Sequence, residues 1–389
     1  TQQRAPSNEH PAPSAQKPAP STKHQATRIS NLTPAMFHTI LTLTYLIPNI
    51  YLFTRLMQLF IRKEHLKIFI PVYLLLFMIY PASRTISDDI APGAVKLLSS
   101  VSDYMLPFFL YLFLFTLLYD LLLLINIPLK AVPREKIRSR SFRNVVFAAI
   151  VFCSAVVLTA GIINFNVIRT REYGIEVEGK QSGKDHLTIA FVSDFHLHRD
   201  VNTRFVGKFV RKISSIRPDI LLYGGDIIDG DSNDERIREF ERLLSGTETR
   251  YGSYGVLGNH ERYSRNEDGA FFRNSGITLL TDSAVVVDGS FVVAGRYDSS
   301  TQGRLSVSEL MKNIPDSLPV ILLDHRPTSI DEISTAGADL ALSGHTHHGQ
   351  LFPINFITRK VYELSYGYLK KGNTHFFVSS GIRLWGPPV

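Results

Sequence analysis

Five polar clusters stand at the ends of short apolar runs in the second half of this 389-residue chain. After Ile189–Ser193 come Asp194 and His196; after Asp219–Tyr223 and a Gly-Gly pair come Asp226 and Asp229. Asn259, His260 and Glu261 follow Gly255–Gly258, His325 and Arg326 follow Val320–Asp324, and His345, His347 and His348 follow Leu340–Gly344. Asp194 and His196 are two residues apart, so their side chains point the same way if the strand continues. A carboxylate and an imidazole converging there is how a metal site begins. A lone D-x-H arises by chance, whereas an ordered set of five clusters at strand ends, where open α/β sheets place their sites, is a strong signal. Gly224 and Gly225 allow a tight turn beside a ligand.

The elements that must position these residues are legible in the same region. Apolar runs at 188–193, 219–223, 254–257, 278–280, 284–287, 291–294, 319–323, 339–342 and 375–379 read as strands. Helical patterns fall at about 202–215, 233–245, 306–313 and 328–335. Strands alternating with helices make an α/β domain with much parallel pairing.

What precedes it is different. Residues 1–33 are rich in Pro, Ala, Ser, Thr and Gln and read as a disordered tail. Residues 34–168 read as a transmembrane helical domain, with spans expected at 36–61, 68–82, 103–129 and 144–168, the second short and containing Pro71. Arg55, near a span end, is expected to snorkel rather than to pair with Asp120. The loops at 62–67 and 130–143 are basic, so four spans place them in the cytoplasm and residues 169–389 outside. The chain carries +7, but residues 1–168 hold +9 and residues 169–389 hold −2, so the high isoelectric point is no sign of nucleic-acid binding by the second part. The single cysteine, Cys153, excludes an intrachain disulfide.

The set D-x-H, GD-x-x-D, GNHE, a lone His and GH-x-H, covering about residues 169–389, resembles the calcineurin-like metallophosphoesterase family. Within it the chain looks most like a membrane-associated bacterial branch with cell-wall and lipid-directed phosphodiesterases. The resemblance implies a four-layer α/β/β/α sandwich and two divalent ions, Mn, Fe or Zn. Asp194, His196 and His347 would hold one ion, Asn259, His325 and His345 the other, with Asp226 shared and a metal-bridging hydroxide as nucleophile. It implies His260 as the residue that stabilises the transition state or protonates the leaving group, with Asp229 orienting it. His348 departs from the glycine common in this branch and is expected to be outer-shell or solvent-facing. Arg326 is open between a phosphate contact and a surface salt bridge. Members of the family usually continue for a strand or two beyond the point reached at Val389, and the chain opens at Thr1, so further residues are expected.

Residues 351–371 interleave Phe352, Phe356, Tyr362, Tyr366 and Tyr368 with Arg359, Lys360, Lys370 and Lys371. This composition suits a lip at the bilayer surface, or else a hairpin packing its aromatics on the sheet. The leading expectation is an integral protein of a bacterial inner or plasma membrane, its catalytic domain periplasmic or extracellular. It would cleave a phosphodiester or pyrophosphate bond in a lipid-linked or envelope substrate. The alternatives are a non-catalytic sensor on the same scaffold, against which all seven ligand positions speak, and a nucleotide or nucleic-acid phosphodiesterase, against which the acidic balance of 169–389 speaks.

Overall fold

A computed structural model describes residues 34–86, 92–180, 183–229 and 234–389, the side chains of 34–43, 84 and 92 excepted. The expected tail at 1–33 lies outside the described residues. The first part is helical: α1 (Pro34–Leu59), α2 (Leu66–Thr85), α3 (Pro92–Leu129), the short α4 (Arg134–Arg138) and α5 (Arg140–Phe165). Long uncharged runs of Leu, Ile and Phe form helices because lipid offers the backbone no hydrogen-bond partners.

Among the described residues three stretches, not four, are long and apolar enough to cross a membrane: Lys63–Ser83, Gly93–Leu129 and Arg140–Phe165. The span expected at 36–61 is not among them; the side chains of 34–43, the first ten residues of α1, lie outside the described residues. The span expected at 68–82 is longer than its apolar core suggested, Pro71 being accommodated inside α2. Arg55 does not simply snorkel. Its guanidinium meets Asp120 of α3 through both oxygens, Nε donating at 2.6 Å, and the Tyr51 hydroxyl donates to the same carboxylate at 2.6 Å. Arg140 Nη1 donates to the Phe60 carbonyl at 3.2 Å, so the end of α1 and the start of α5 share one end of the bundle.

The second part contains β1 (Ile189–Val192), α6 (Thr203–Ile216), β2 (Ile220–Tyr223), α7 (Glu235–Leu244), β3 (Ser253–Gly255), α8 (Asn259–Tyr263), α9 (Ala270–Asn274) and β4 (Ile277–Leu279). There follow β5 (Ser283–Val287), β6 (Phe291–Gly295), α10 (Val307–Met311), β7 (Val320–Leu323), α11 (Ile330–Ala336), β8 (Leu340–Ser343), α12 (Asn355–Val361), β9 (Gly367–Lys371) and β10 (Thr374–Val378). One sheet, β1-β2-β3-β4, is wholly parallel. The other runs β5-β6-β7-β8-β10-β9, parallel from β6 to β10 with an antiparallel strand at each edge.

Alternation along each strand divides the core. Ile220 and Leu222 of β2 meet Val293, Ile321, Leu323, Leu340 and Leu342 between the sheets. Leu221 and Tyr223 face the other way, onto Phe205, Phe209 and Ile213 of α6 and Phe240 and Leu244 of α7. The residues that α6 buries recur at helical spacing, as one face must, and Asn202 caps it by accepting from the Arg204 amide at 2.9 Å. On the far side of the second sheet, Leu322, Ala341 and Phe376 pack on α10 and α11. Both sheets therefore present the carboxyl ends of their parallel strands, with the loops that follow them, along one edge.

The stretch 351–371 divides between its two expected behaviours. Tyr368 lies on β9 and packs on Phe377 and His375, whereas Phe352, Phe356 and Ile357, around α12, are exposed.

Candidate metal centre

The site begins where β1 stops. β1 ends at Val192, and Asp194 and His196 then take left-handed backbone angles, φ 57° and 46°. Their convergence comes from this alternation rather than from a continuing strand. Between them Phe195 turns inward, fully buried against Phe209 at 4.8 Å, a burial worth about 1.5–3 kcal/mol. The Asp194 amide donates to the Gly225 carbonyl at 2.9 Å and the His196 amide to the Asp226 carbonyl at 3.0 Å, so the loops after β1 and β2 hold each other. Asp226, His345 and His347 also have positive φ. Five polar residues in a conformation that L side chains avoid mark a functional constraint. Gly225, at φ +87°, is required on a second ground: a Cβ there would lie 2.7 Å from His325 Nδ1.

The loops bring the expected residues together. His196 Nε2 lies 3.2 Å from His347 Nε2, and His347 Nε2 lies 3.5 Å from Asp194 Oδ1. His325 Nε2 lies 3.1 Å from Asp226 Oδ2, and His196 Nε2 4.0 Å from the same oxygen. Donor atoms of Asp194, His196 and His347, and those of Asp226, His325 and His345, form two close groups. A third group shares His196 with Asp229 and His260, whose Nδ1 lies 2.9 Å from Asp229 Oδ1. Asp229 also stands 3.4 Å from His196 Nδ1, a second contact that the spacing did not reveal.

The donor set fits divalent cations on the observations of the site itself. Asn259 Oδ1 and His325 Nε2 are buried without a hydrogen-bond partner. His325 Nδ1 donates to the Gly224 carbonyl at 2.7 Å, which fixes the tautomer and leaves Nε2 a lone pair to offer. Two facing imidazole Nε2 atoms beside two buried carboxylates need positive charge between them. Burial pushes the Asp194 carboxyl up and the His347 imidazole down to about 4. Burial opposes protonation of His260 as well, but the hydrogen bond to Asp229 and the nearby carboxylates outweigh it and raise its pKa. Asp229 is desolvated too, yet its contacts with His196 and His260 hold it at about 2.

Residues 187–349 match the model of the calcineurin-like phosphoesterase family. An uncharacterized metallophosphoesterase of Aquifex aeolicus is 33% identical over 231 residues, which cover 57% of this chain and 87% of that protein. The chain belongs to the calcineurin-like phosphoesterase family. An uncharacterized metallophosphoesterase of Helicobacter pylori J99 is 32% identical over 52% of this chain and 56% of its own length. A transmembrane protein with metallophosphoesterase domain from Bos taurus is 27% identical over 52% and 50%. The chain thus matches only about half the length of these last two relatives.

Other residues of the phosphoesterase domain carry the site without signalling it in the sequence. Glu261 is fully buried, and its carboxylate accepts from the amides of Asp226 (3.0 Å), Ile227 (2.5 Å), Ile228 (3.1 Å) and Gly258 (2.7 Å). It ties the loop after β2 to the loop after β3. Burial and the Asp226 charge push it up to about 7, against the pull of the donated amides. Its place in GNHE gave a polar cluster and nothing more specific. Arg326 Nε is spent on the buried Asp298 at 2.8 Å, closer to the salt-bridge expectation than to a phosphate contact. His348 turns away from the ligand groups, to Ser365 Oγ at 3.2 Å and the Tyr366 ring at 5.1 Å.

The C-terminal segment is the other unsignalled feature. The Ile382 and Arg383 amides donate to the carbonyls of Ser193 and Asp194 at 3.0 and 3.1 Å. The Arg383 guanidinium sits between two rings, 4.6 Å from Phe165 of α5 and 4.9 Å from Phe205 of α6. Trp385 comes within 6.4 Å of His260, and Val389 packs against Gly161 of α5. On the other flank Lys96 of α3 pairs with Asp200 at 2.9 Å.

Proposed function

We propose that this protein is a membrane-anchored, dinuclear-metal-dependent phosphohydrolase that cleaves a phosphodiester or pyrophosphate bond in a lipid-linked or cell-envelope substrate. The observation that carries the reading is the junction of the ligand loops with the membrane helices. Arg383, whose amide is bonded to Asp194, stacks on Phe165 at the end of α5, and Asp200 pairs with Lys96 near the start of α3. A phosphate reaching this edge of the domain stands at headgroup level. α2, α3 and α5 suffice as the anchor.

Asp194, His196 and His347 would hold one ion, and Asn259, His325 and His345 the other, with Asp226 shared. Mn, Fe or Zn suits a mixed imidazole, amide and carboxylate set better than Ca. When bound, the ions supply Lewis-acid charge to the phosphate oxygens. His260 is oriented by its Nδ1–H bond to Asp229, which leaves Nε2 to deliver a proton to the departing oxygen. Asp226 Oδ1 accepts the His260 amide at 2.8 Å, so the acid is set by the same carboxylate that would be shared between the ions.

The topology follows from charge. The α1–α2 and α3–α5 connections hold Arg62, Lys63, Lys130, Arg134, Lys136 and Arg138, with Lys67, Arg140 and Arg143 in the adjoining first turns of α2 and α5, and the positive-inside rule makes that end cytoplasmic. The catalytic domain adjoins the opposite ends of α3 and α5, hence the periplasmic or extracellular side.

The test uses the full chain in lipid nanodiscs with bis-p-nitrophenyl phosphate and p-nitrophenyl phosphate, with Mn, Fe, Zn or no metal. Metal-dependent cleavage that Asp226→Asn abolishes is the expected result. No turnover with any metal, in a folded protein that binds two ions, overturns the enzymatic reading in favour of a sensor.

A further inference from the structure

We propose that the segment from Phe352 to Lys360 is a membrane-contacting element, seated in the headgroup–acyl boundary of an anionic bilayer beside α5. It deepens the reading above by naming the surface that brings the site to its substrate, and rests on that reading only for the membrane anchor.

Phe352, Phe356 and Ile357 are 61%, 53% and 63% exposed, and Ile354 joins them at the surface. They form one cluster, with the Phe352 and Phe356 rings 5.6 Å apart. A patch of this kind next to an active site needs a covering surface. Arg359 and Lys360 are exposed on the following turn. Apolar residues at the front and cations behind are the pattern of an element lying in a membrane interface.

The neighbours of the segment fix where it lies. Gln350 Nε2 donates to the Pro387 carbonyl at 2.9 Å, and Val389 packs on Gly161 of α5. Val389 is two positions after Pro387, at most about 7 Å away along the chain. Gly161 is four residues before the end of α5, about 6 Å along the helix axis. Gln350 therefore lies beside the outward end of a span, and the apolar residues follow it by two to seven positions. The segment is not loosely hung. Thr358 is buried, its hydroxyl donating to the Ile354 carbonyl at 3.1 Å, and Gly349 leaves room for Asn355 and Thr358 that a Cβ would occupy. Thr346, between the ligand histidines, donates to the Ser365 carbonyl at 2.5 Å on the other side. The element is thus continuous at its start with the ligand loop, where Gln350 also joins it to the C-terminal segment that packs on the membrane helix.

The test labels Phe356→Cys with an environment-sensitive fluorophore in a Cys153→Ser background of the full chain, reconstituted in nanodiscs of phosphatidylglycerol or phosphatidylcholine. Ser317→Cys, exposed just ahead of β7 at the end of the sheet opposite His325, is the control. The proposal expects a blue-shifted emission at 356 that brominated lipids quench, more strongly in phosphatidylglycerol, with neither effect at 317. Arg359→Gln with Lys360→Gln removes the difference between the two lipids. Emission at 356 that is unquenched, or quenched no more than at 317, overturns it. So does quenching with no dependence on lipid charge that the double Gln variant leaves unchanged, since the cations would then play no part. Metal-dependent hydrolysis of bis-p-nitrophenyl phosphate, measured on the same samples, fails or succeeds independently of the quenching and separates this proposal from the enzymatic reading.

Discussion

Replacing Glu261 by Gln tests whether a buried carboxylate holds the metal loops together. Its two oxygens accept four backbone amides, Ile227 and Ile228 at Oε1, Asp226 and Gly258 at Oε2. An amide side chain keeps one acceptor oxygen and turns an NH₂ toward the other pair, so two buried N–H groups lose their partner whichever way it sits. Each orphaned donor costs about 1–3 kcal/mol, for a total of about 2–6 kcal/mol. In a domain of this size each kcal/mol lowers Tm by about 2–4 °C, so the fall is at least about 4 °C. The effect is also local. Asp226 is itself an expected ligand and Gly258 precedes another, Asn259, on a different loop, so the concentration of Mn required for half-maximal hydrolysis of bis-p-nitrophenyl phosphate rises along with the loss of stability. Thermal melting and Mn titration of the full chain in detergent read both. A Glu261→Gln protein that melts with the wild type and takes up Mn at the same concentration refutes the clamp.

Three further predictions rest on separate features. Gly258→Ala sets a Cβ onto the Asp226 carboxylate and 2.6 Å from its amide, so metal content measured on the purified variant falls well below that of the wild type. Asp229→Asn leaves His260 without its carboxylate partner; kcat falls by about 10²–10⁴-fold, the range for a lost general acid, while bound metal is retained. Arg55→Met and Asp120→Leu each strand one charge of a pair that both oxygens and Tyr51 complete, so each lowers the melting temperature, and the double variant recovers much of the loss.

The clusters at strand ends were legible because residue type and position coincide there: a histidine or aspartate directly after a buried apolar run has little else to do. The strands were legible too, since Ile220–Tyr223 and Val320–Leu323 are buried on both faces and contain no charged residue. What escaped has a common cause, which is that its meaning lies in a distant partner. Glu261 looks like any helix-start acid until the amides of the neighbouring loop are brought to it. Arg55 and Asp120, 65 residues apart, read as separate intramembrane charges. The Asp194–His196 convergence was anticipated for a reason the backbone does not use, because spacing of two fits both a continuing strand and an alternation through left-handed angles.

Phe165 belongs to the anchor, yet it forms one wall of the slot that holds Arg383, and the main chain of Arg383 is bonded to Asp194. The boundary between anchor and catalyst is therefore not a modular seam. Trimming the chain to the start of the phosphoesterase domain discards a wall of that slot and opens one face of the half-buried guanidinium to solvent. Transplanting the domain onto a foreign anchor carries the same cost unless the new helix ends in an aromatic ring at the same height. Exchange of anchors between relatives is expected to succeed only when the last turn of α5 and the segment from Ile382 to Val389 move as one cassette.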